Sequence, residues 1–288
     1  MLAIYKRELR SYFQSMIGCV FVAFLVLFTG IYFTAYNLTA GYPYFSYTLS
    51  GSLIVFIVGI PLITMRSFSE ERKNKTDQLL LTAPVSLTKV VLGKYFAMVT
   101  VVAVPNVIFC LFPLIIKMNG TAYLKVDYIS IGVFFLLGCV YLAIGMFLST
   151  LTESQIIAFV STFGVLLLLY LWNGIVSFLP SSASGCLVGL LLILSVIILY
   201  IWQMTLNWVL SAVMEAVCVI GCVTAYFVKP ALFENLLSKL LGKLAFADVF
   251  TGITQNHIVD LSGIILYLSV ITVFIFLTVQ TIQKRRWS

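Results

Sequence analysis

Apolar runs of about 20 residues recur along most of this chain, broken only by short polar or basic stretches. As a helix, such a run rises about 30 Å, the thickness of a bilayer's hydrocarbon core. The run from Ile17 to about Tyr36 carries no charge, and comparable runs lie near 49–66, 94–116, 129–150, 155–178, 186–203, 207–228 and 258–281. Only 9% of the residues are charged and 62% are hydrophobic, against about 25% charged in an ordinary soluble domain. A chain of this kind has too little polar surface to cover its own core, so its solvent is lipid. The expected fold class is all-α: a polytopic transmembrane helical bundle of about eight spans.

An even number of spans puts both termini on one side, and the basic residues say which. Lys6, Arg7 and Arg10 precede the first run, Arg66, Arg72, Lys73, Lys75, Lys89 and Lys94 cluster about one central loop, and Lys284, Arg285 and Arg286 follow the last run. Only Lys117, Lys125, Lys229, Lys239 and Lys243 fall on the opposite side. This is the positive-inside pattern of a multi-pass protein of the cell membrane with both termini cytoplasmic. The net charge of +7 therefore reflects topology; the basic residues line no groove or stripe, and no nucleic-acid partner is implied. Residues 1–16 place Ile4, Tyr5, Leu9, Tyr12 and Phe13 at helical spacing with Lys6, Arg7 and Arg10 toward the other side. That spacing predicts an amphipathic interfacial helix lying against anionic membrane lipid. The apolar run behind it is too long for a signal-peptide core and lacks a small-residue cleavage site, so it reads as a retained first span of a transmembrane domain covering 17–288.

On the outer side, the segment 230–257 opens with Leu232, Phe233, Leu236, Leu237, Leu240, Leu241 and Leu244 at i, i+3, i+4 spacing. It reads as an amphipathic segment that lies on the membrane or dips back into the bundle. The cysteines, Cys19, Cys110, Cys139, Cys186, Cys218 and Cys222, form no C-x-x-C or Cys/His set, and so imply neither metal nor disulfides.

The most informative stretch is Arg66 to Lys94, R-S-F-S-E-E-R-K-N-K-T-D-Q-L-L-L-T-A-P-V-S-L-T-K-V-V-L-G-K. Glu70–Lys75 contains no helix breaker, so the second span is expected to continue outward as a helix, with Glu71 and Lys75 as an i, i+4 pair. Thr76 is placed to cap a new short helix with Asp77 in its first turn. Leu79, Leu80 and Leu81 give that helix an apolar tip, Pro84 stops it, and Ser86 is placed to cap the third span. The segment 67–93 thus reads as a cytoplasmic elbow whose leucines either pack on the N-terminal helix or plug into a partner protein.

This stretch, M-R-S-F-S-E-E-R-K-N-K-T-D-Q-L-L-L-T-A-P-V-S followed by V-L-G-K, resembles the signature of type-2 ABC transporter permeases. It is especially similar to the branch of the gliding-motility permease and the permease of nitrous-oxide-reductase maturation. K-R-E-L-R-S-Y-F near the start resembles that family's interfacial helix, S-T-L-T-E-S-Q-I-I-A-F at Ser149–Phe159 its second cytoplasmic elbow, and K-R-R-W at Lys284–Trp287 its ending. Family members commonly carry glycine where Lys75 stands, and some lack the pair of runs at 186–228. The resemblance implies a half-transporter: two permease chains, identical or different, joined to two separate ABC ATPase subunits that hold the ATP. It implies no cofactor on this chain. Coupling to the ATPase would fall on Glu70, Glu71, Arg72, Lys75, Thr76, Asp77, Leu79, Leu80, Leu81 and Pro84, and on Thr152, Glu153 and Ser154 of the second elbow.

Other patterns are weaker. Gly93-Lys94 resembles the end of a phosphate-binding loop, but Thr88 stands at its first glycine and Tyr95 follows the lysine, so no ATP site is expected here. Glu70 and Glu71 are neighbours on a helix and point apart, and one histidine, His257, completes no nucleophile–base set. An intramembrane enzyme is the poorer reading. Glu215 is the acid placed well inside a run, where an ionisable side chain marks a site for a cation or an amine unless it snorkels to water. A secondary transporter or channel would use it so, but would show more buried charge and an internal repeat. Pro105 and Asn106, midway through the third run, mark a kink or a polar contact in a transport path.

Overall fold

A computed structural model describes residues 1–76, 86–205, 208–228, 233–242, 245–256 and 261–287. Among them six helices are long and apolar enough to cross a membrane: Ile17–Thr39, Phe45–Lys73, Leu87–Asn119, Leu124–Leu151, Gln155–Ser177 and Leu261–Lys284. No strand occurs among the described residues. The all-α polytopic bundle expected from the apolar runs is what forms.

The chain divides into two compact units, residues 1–170 with 246–288 and residues 171–245. The first begins with α1 (Leu2–Gln14), whose apolar face packs on the bundle while Lys6 and Arg10 stay exposed. Met16, at a φ of 59°, turns the chain sharply into α2 (Ile17–Phe33). A π-helical turn, Thr34–Thr39, ends that span. There Asn37 donates to the carbonyls of Tyr42 (2.8 Å) and Tyr44 (3.0 Å) and accepts from Thr48 (2.6 Å), which closes the loop to α3 (Phe45–Thr64). The amide of Phe45 is capped across the bundle by Asp127 Oδ1 at 2.8 Å. Asp127 falls between the apolar runs at 94–116 and 129–150, yet it is buried in the first turn of α7 (Leu124–Leu151).

After α3 the helix does not run on past Arg66 as expected. It breaks at Met65–Phe68 and restarts as α4 (Ser69–Lys73). Tertiary partners hold the break. The amides of Phe68 and Ser69 donate to Ser149 Oγ on α7, at 3.1 and 3.2 Å, and the Ser67 carbonyl accepts from Lys94. The third span also starts earlier than its apolar run suggests. α5 (Leu87–Phe109) has Ser86 at its N-cap position, without the expected side-chain cap bond, and α6 (Phe112–Asn119) completes the crossing.

The centre of this unit is α7 (Leu124–Leu151), which packs against α3, α5 and the last helix, α13 (Leu261–Trp287). Phe56, Phe134 and Phe250 form a contiguous cluster of tilted rings, with centroids 4.3 and 5.6 Å apart. Gly145 lets α7 approach its neighbours: a Cβ there would sit 2.5 Å from Thr64 Oγ1 and 2.9 Å from Thr162 Cγ2. Small residues at such crossings replace the hydrophobic driving force that lipid removes. α8 (Gln155–Ser177) follows α7. α12 (Phe246–Asn256) packs Phe250 into the core, and its first carbonyl accepts from Tyr267.

The second unit is a hairpin of α9 (Ala183–Thr205) and α10 (Trp208–Val228), with α11 (Leu236–Gly242) folded back on it. Phe233 and Leu237 from the leucine-rich stripe join Cys186 in a small core. Gly189 accepts Leu237 so closely that a Cβ would meet its Cδ1 at 2.6 Å. Trp172 Nε1 donates to the Leu241 carbonyl at 2.7 Å. Within this unit, then, the described part of the stripe dips back onto the hairpin.

Candidate functional site

The charged residues of the first unit converge around α4. Lys94 is the pivot. It lies in the second turn of α5, with its side chain 3% exposed, and Gly93 beside it lets α1 come close, since a Cβ there would meet Ile4 Cγ2 at 3.1 Å and the Met1 carbonyl oxygen at 3.4 Å. From this position Lys94 Nζ reaches Glu71 Oε1 at 2.9 Å, Glu8 Oε1 at 3.2 Å and the Ser67 carbonyl at 2.9 Å. The Phe68 ring centroid lies 5.2 Å from the ammonium, within cation–π range. Arg7 Nη2 closes the set, 2.6 Å from Glu8 Oε1 and 3.1 Å from Glu71 Oε1. Two cations and two carboxylates from α1, α4 and α5 therefore balance in charge. Glu8 and Glu71 are only 14% and 18% exposed, so this neutrality is what makes their burial tolerable.

Two further links fix α4. Arg66 makes a bidentate pair with Glu70, one arm through Nε and the other from Nη2 to Oε1 at 2.8 Å, the planar fork that favours arginine here. On the other side Arg72 Nη1 donates to the Thr150 carbonyl at 3.2 Å, and Nη2 lies 2.6 Å from Glu153 Oε1. Tyr12 ties α1 to the end of α3, its hydroxyl donating to the Ile63 carbonyl at 3.2 Å. Burial pushes the Tyr12 phenol up, so it stays a neutral donor.

The C-terminus of α4 is a Schellman closure. The Thr76 amide donates to the Glu71 carbonyl at 2.9 Å and the Lys75 amide to the Arg72 carbonyl at 3.0 Å, with Lys75 at a φ of 55°. One expectation changes accordingly: Lys75 lies past the helix end, so Glu71 pairs with Lys94 and Arg7 instead. The Thr76 hydroxyl donates to the Glu71 carbonyl, and the helix it was expected to cap lies outside the described residues.

Of the candidate coupling residues, Glu70, Glu71, Arg72, Lys75, Thr76, Thr152, Glu153 and Ser154 are all described. Arg72 and Glu153 join the first elbow to the second, where Thr152 Oγ1 donates to the Ser154 carbonyl at 3.3 Å. Asp77, Leu79, Leu80, Leu81 and Pro84 lie outside the described residues. Pro105 and Asn106 are buried inside α5, and Asn106 Nδ2 donates to the carbonyl of Val102 on its own helix at 2.8 Å. Glu215 sits in the second unit, exposed on α10. Sequence reasoning missed Glu8, Arg7 and Lys94 as members of one cluster with Glu71, and Ser149 as the acceptor for the start of α4. The signal available was the lysine itself, a lone charge at the head of the run V-V-L-G-K-Y-F-A-M-V.

The described residues thus form a polytopic helical bundle of membrane-spanning length, with a broken second span held by ion pairs to its neighbours. The family description "ABC-2 family transporter protein" matches residues 48–285, and the chain belongs to that family as the membrane-spanning subunit of an ABC transporter. No curated protein and no solved structure matches it.

Proposed function

We propose that this chain is the permease half of a type-2 ABC exporter in the cell membrane. Two permease chains would assemble with two separate ATPase subunits, and ATP would be bound and hydrolysed only on the latter. The charged end around α1 and α4 faces the cytoplasm, in keeping with the bias of basic residues toward that side. The elbow from Asp77 to Pro84 docks in a groove of the ATPase by its leucines. α4, immediately before it, works as the lever.

One observation carries this reading. Glu71 and Arg72, adjacent on α4, are tied in different directions, Glu71 to Lys94 of α5 at 2.9 Å and Arg72 to Glu153 beyond α7 at 2.6 Å. A pull on the elbow therefore moves α5, α7 and α1 together rather than one loop alone. Packed elements of this sort switch between discrete arrangements rather than deforming continuously.

The test is co-purification of the permease with its ATPase. Burying one leucine is worth about 1.5–3 kcal/mol, so Leu80→Asp should weaken the ATPase complex more than about tenfold while leaving the amount of folded permease unchanged. A Leu80→Asp permease that retains its ATPase at wild-type affinity would remove the elbow as docking site and leave α1 or the Thr152–Gln155 turn in its place.

A further inference from the structure

Among its described residues, the second unit holds one carboxylate in an apolar helix with no counter-charge beside it. Glu215 is the eighth residue of α10, so it lies about 10 Å along the helix from Trp208. It is exposed on the hairpin surface and, among the described residues, makes no hydrogen bond or ion pair. Lys239, the described cation of this unit, is on α11, which packs at Gly189, about 9 Å of helix rise from Ser195. A carboxylate set in the apolar stretch Val213–Cys222 is stabilised by a cation beside it.

The space beside it is shaped. A cleft of about 250 Å³ runs between α9 and α10, and Leu191, Ile198 and Val219 supply apolar walls around Glu215, Ser195 and Cys218. Glu215, Cys218 and Val219 share one face of α10 at i, i+3 and i+4. The Ser195 hydroxyl proton is already committed, donated to the Leu192 carbonyl at 2.9 Å, so its oxygen offers only lone pairs. An ionised Glu215 is likewise acceptor-only. An apolar cleft whose oxygen groups both accept selects a donor of positive charge on an apolar body.

We propose that this cleft binds a protonated amine carried on a hydrophobic body, with the ammonium between Glu215 and Ser195. The volume falls just below the range of enclosed drug-sized sites, about 300–1,000 Å³, so the body is small or only partly enclosed. The amine would be cargo if the chain is the permease proposed above. Its binding is a property of this chain alone.

The experiment uses the full chain in phosphatidylcholine nanodiscs, with dansylcadaverine, a primary amine on an aromatic sulfonamide, as fluorescent probe. Signal from empty nanodiscs is subtracted. Wild type should bind the amine at least about tenfold more tightly than Glu215→Gln, the loss expected for a charged hydrogen-bonding partner, and more tightly than it binds the corresponding neutral alcohol. Ser195→Ala should lie between the two. In a variant retaining only Cys218, the probe should slow modification of that thiol by a methanethiosulfonate, and should not do so after Glu215→Gln. Competition by phosphatidylethanolamine would mark the amine as a lipid headgroup's, and its absence a free molecule's. Equal amine affinity in wild type and a monodisperse Glu215→Gln chain, or equal affinity for amine and alcohol, overturns the proposal. So does disulfide-linked dimerisation through Cys218, which would put a second chain in the cleft. No ATPase enters this assay, so its failure leaves the permease reading standing, and loss of ATPase association would leave this site standing.

Discussion

Lys94 Nζ and Glu71 Oε1 lie 2.9 Å apart although the two residues come from different helices, and the lysine side chain is 3% exposed. A lysine is buried this deeply only when paired. Here the pair also holds Glu8, so that removing the ammonium would leave two half-shielded carboxylates with Arg7 as their remaining counter-charge.

Lys94→Met should therefore destabilise the permease by about 3–5 kcal/mol, the usual consequence of removing one partner from a buried charge set. Arg7→Ala should cost under about 1 kcal/mol, since Arg7 is 58% exposed. Adding Glu8→Gln and Glu71→Gln to Lys94→Met should recover most of the loss. Thermal unfolding of the purified chain in detergent ranks the variants, and an Arg7→Ala effect as large as that of Lys94→Met contradicts the assignment of the pivot.

Lys75→Gly should raise stability by about 1 kcal/mol, because Lys75 holds a left-handed φ of 55° at the close of α4 and glycine adopts that region without a Cβ clash. Lys75→Val should lower it. The same unfolding assay reads both, and a destabilised Lys75→Gly would mean that the lysine side chain, not its backbone, matters there.

Much of this was legible in the chain. The apolar runs located the helices because lipid demands long uninterrupted segments. Hidden were the features that depend on partners far along the sequence. No glycine or proline stands at Met65–Phe68; the break goes with Ser149 taking two amides, Lys94 taking a carbonyl, and the Ser69 hydroxyl taking the Met65 carbonyl. For the same reason the local pairing rule gave Glu71–Lys75, whereas a tertiary lysine took the carboxylate. Gly93-Lys94 was set aside as a failed phosphate loop, and its pairing has a packing explanation: the glycine admits α1 and the lysine reaches across to it.

Ser149→Ala should detach the start of α4 from α7. Two buried amides, those of Phe68 and Ser69, would lose their acceptor, and losing a capping serine costs about 0.5–2 kcal/mol. Faster amide hydrogen exchange confined to residues 66–73 is the expected reading. Protection unchanged from wild type would show that α4 is held by its ion pairs alone.

Tyr12 contributes to a loss of stability at alkaline pH. Its phenol is raised by burial in the folded chain, while in the unfolded chain it titrates near about 10. Above that pH the unfolded state loses a proton that the folded state keeps, so stability is complete below it and falls as pH rises. Tyr12→Phe should make that decline less steep, at a loss of about 1 kcal/mol at neutral pH for the hydrogen bond to the Ile63 carbonyl. Unfolding midpoints from pH 8 to 11 decide it; a decline as steep in Tyr12→Phe assigns the effect to another group.

The link between Arg72 and Glu153 tests the lever directly. Arg72 is 17% exposed and Glu153 72% exposed, so the ion pair itself contributes little to stability, under about 1 kcal/mol. Its value lies in geometry, because Arg72 also donates to the Thr150 carbonyl at 3.2 Å and so grips the end of α7. Glu153→Ala removes the pair but leaves the carbonyl contact, whereas Arg72→Ala removes both. In proteoliposomes holding permease and ATPase, Arg72→Ala should leave ATP hydrolysis near wild type while lowering the transport obtained per ATP, and Glu153→Ala should do so less. Arg72→Glu alone should be worst, since it places two carboxylates together, and adding Glu153→Arg should restore part of the coupling: the ion pair returns, but the Thr150 carbonyl loses its donor. Equal transport per ATP in Arg72→Ala and wild type would mean that the two elbows move independently, and α4 would then act through Lys94 alone.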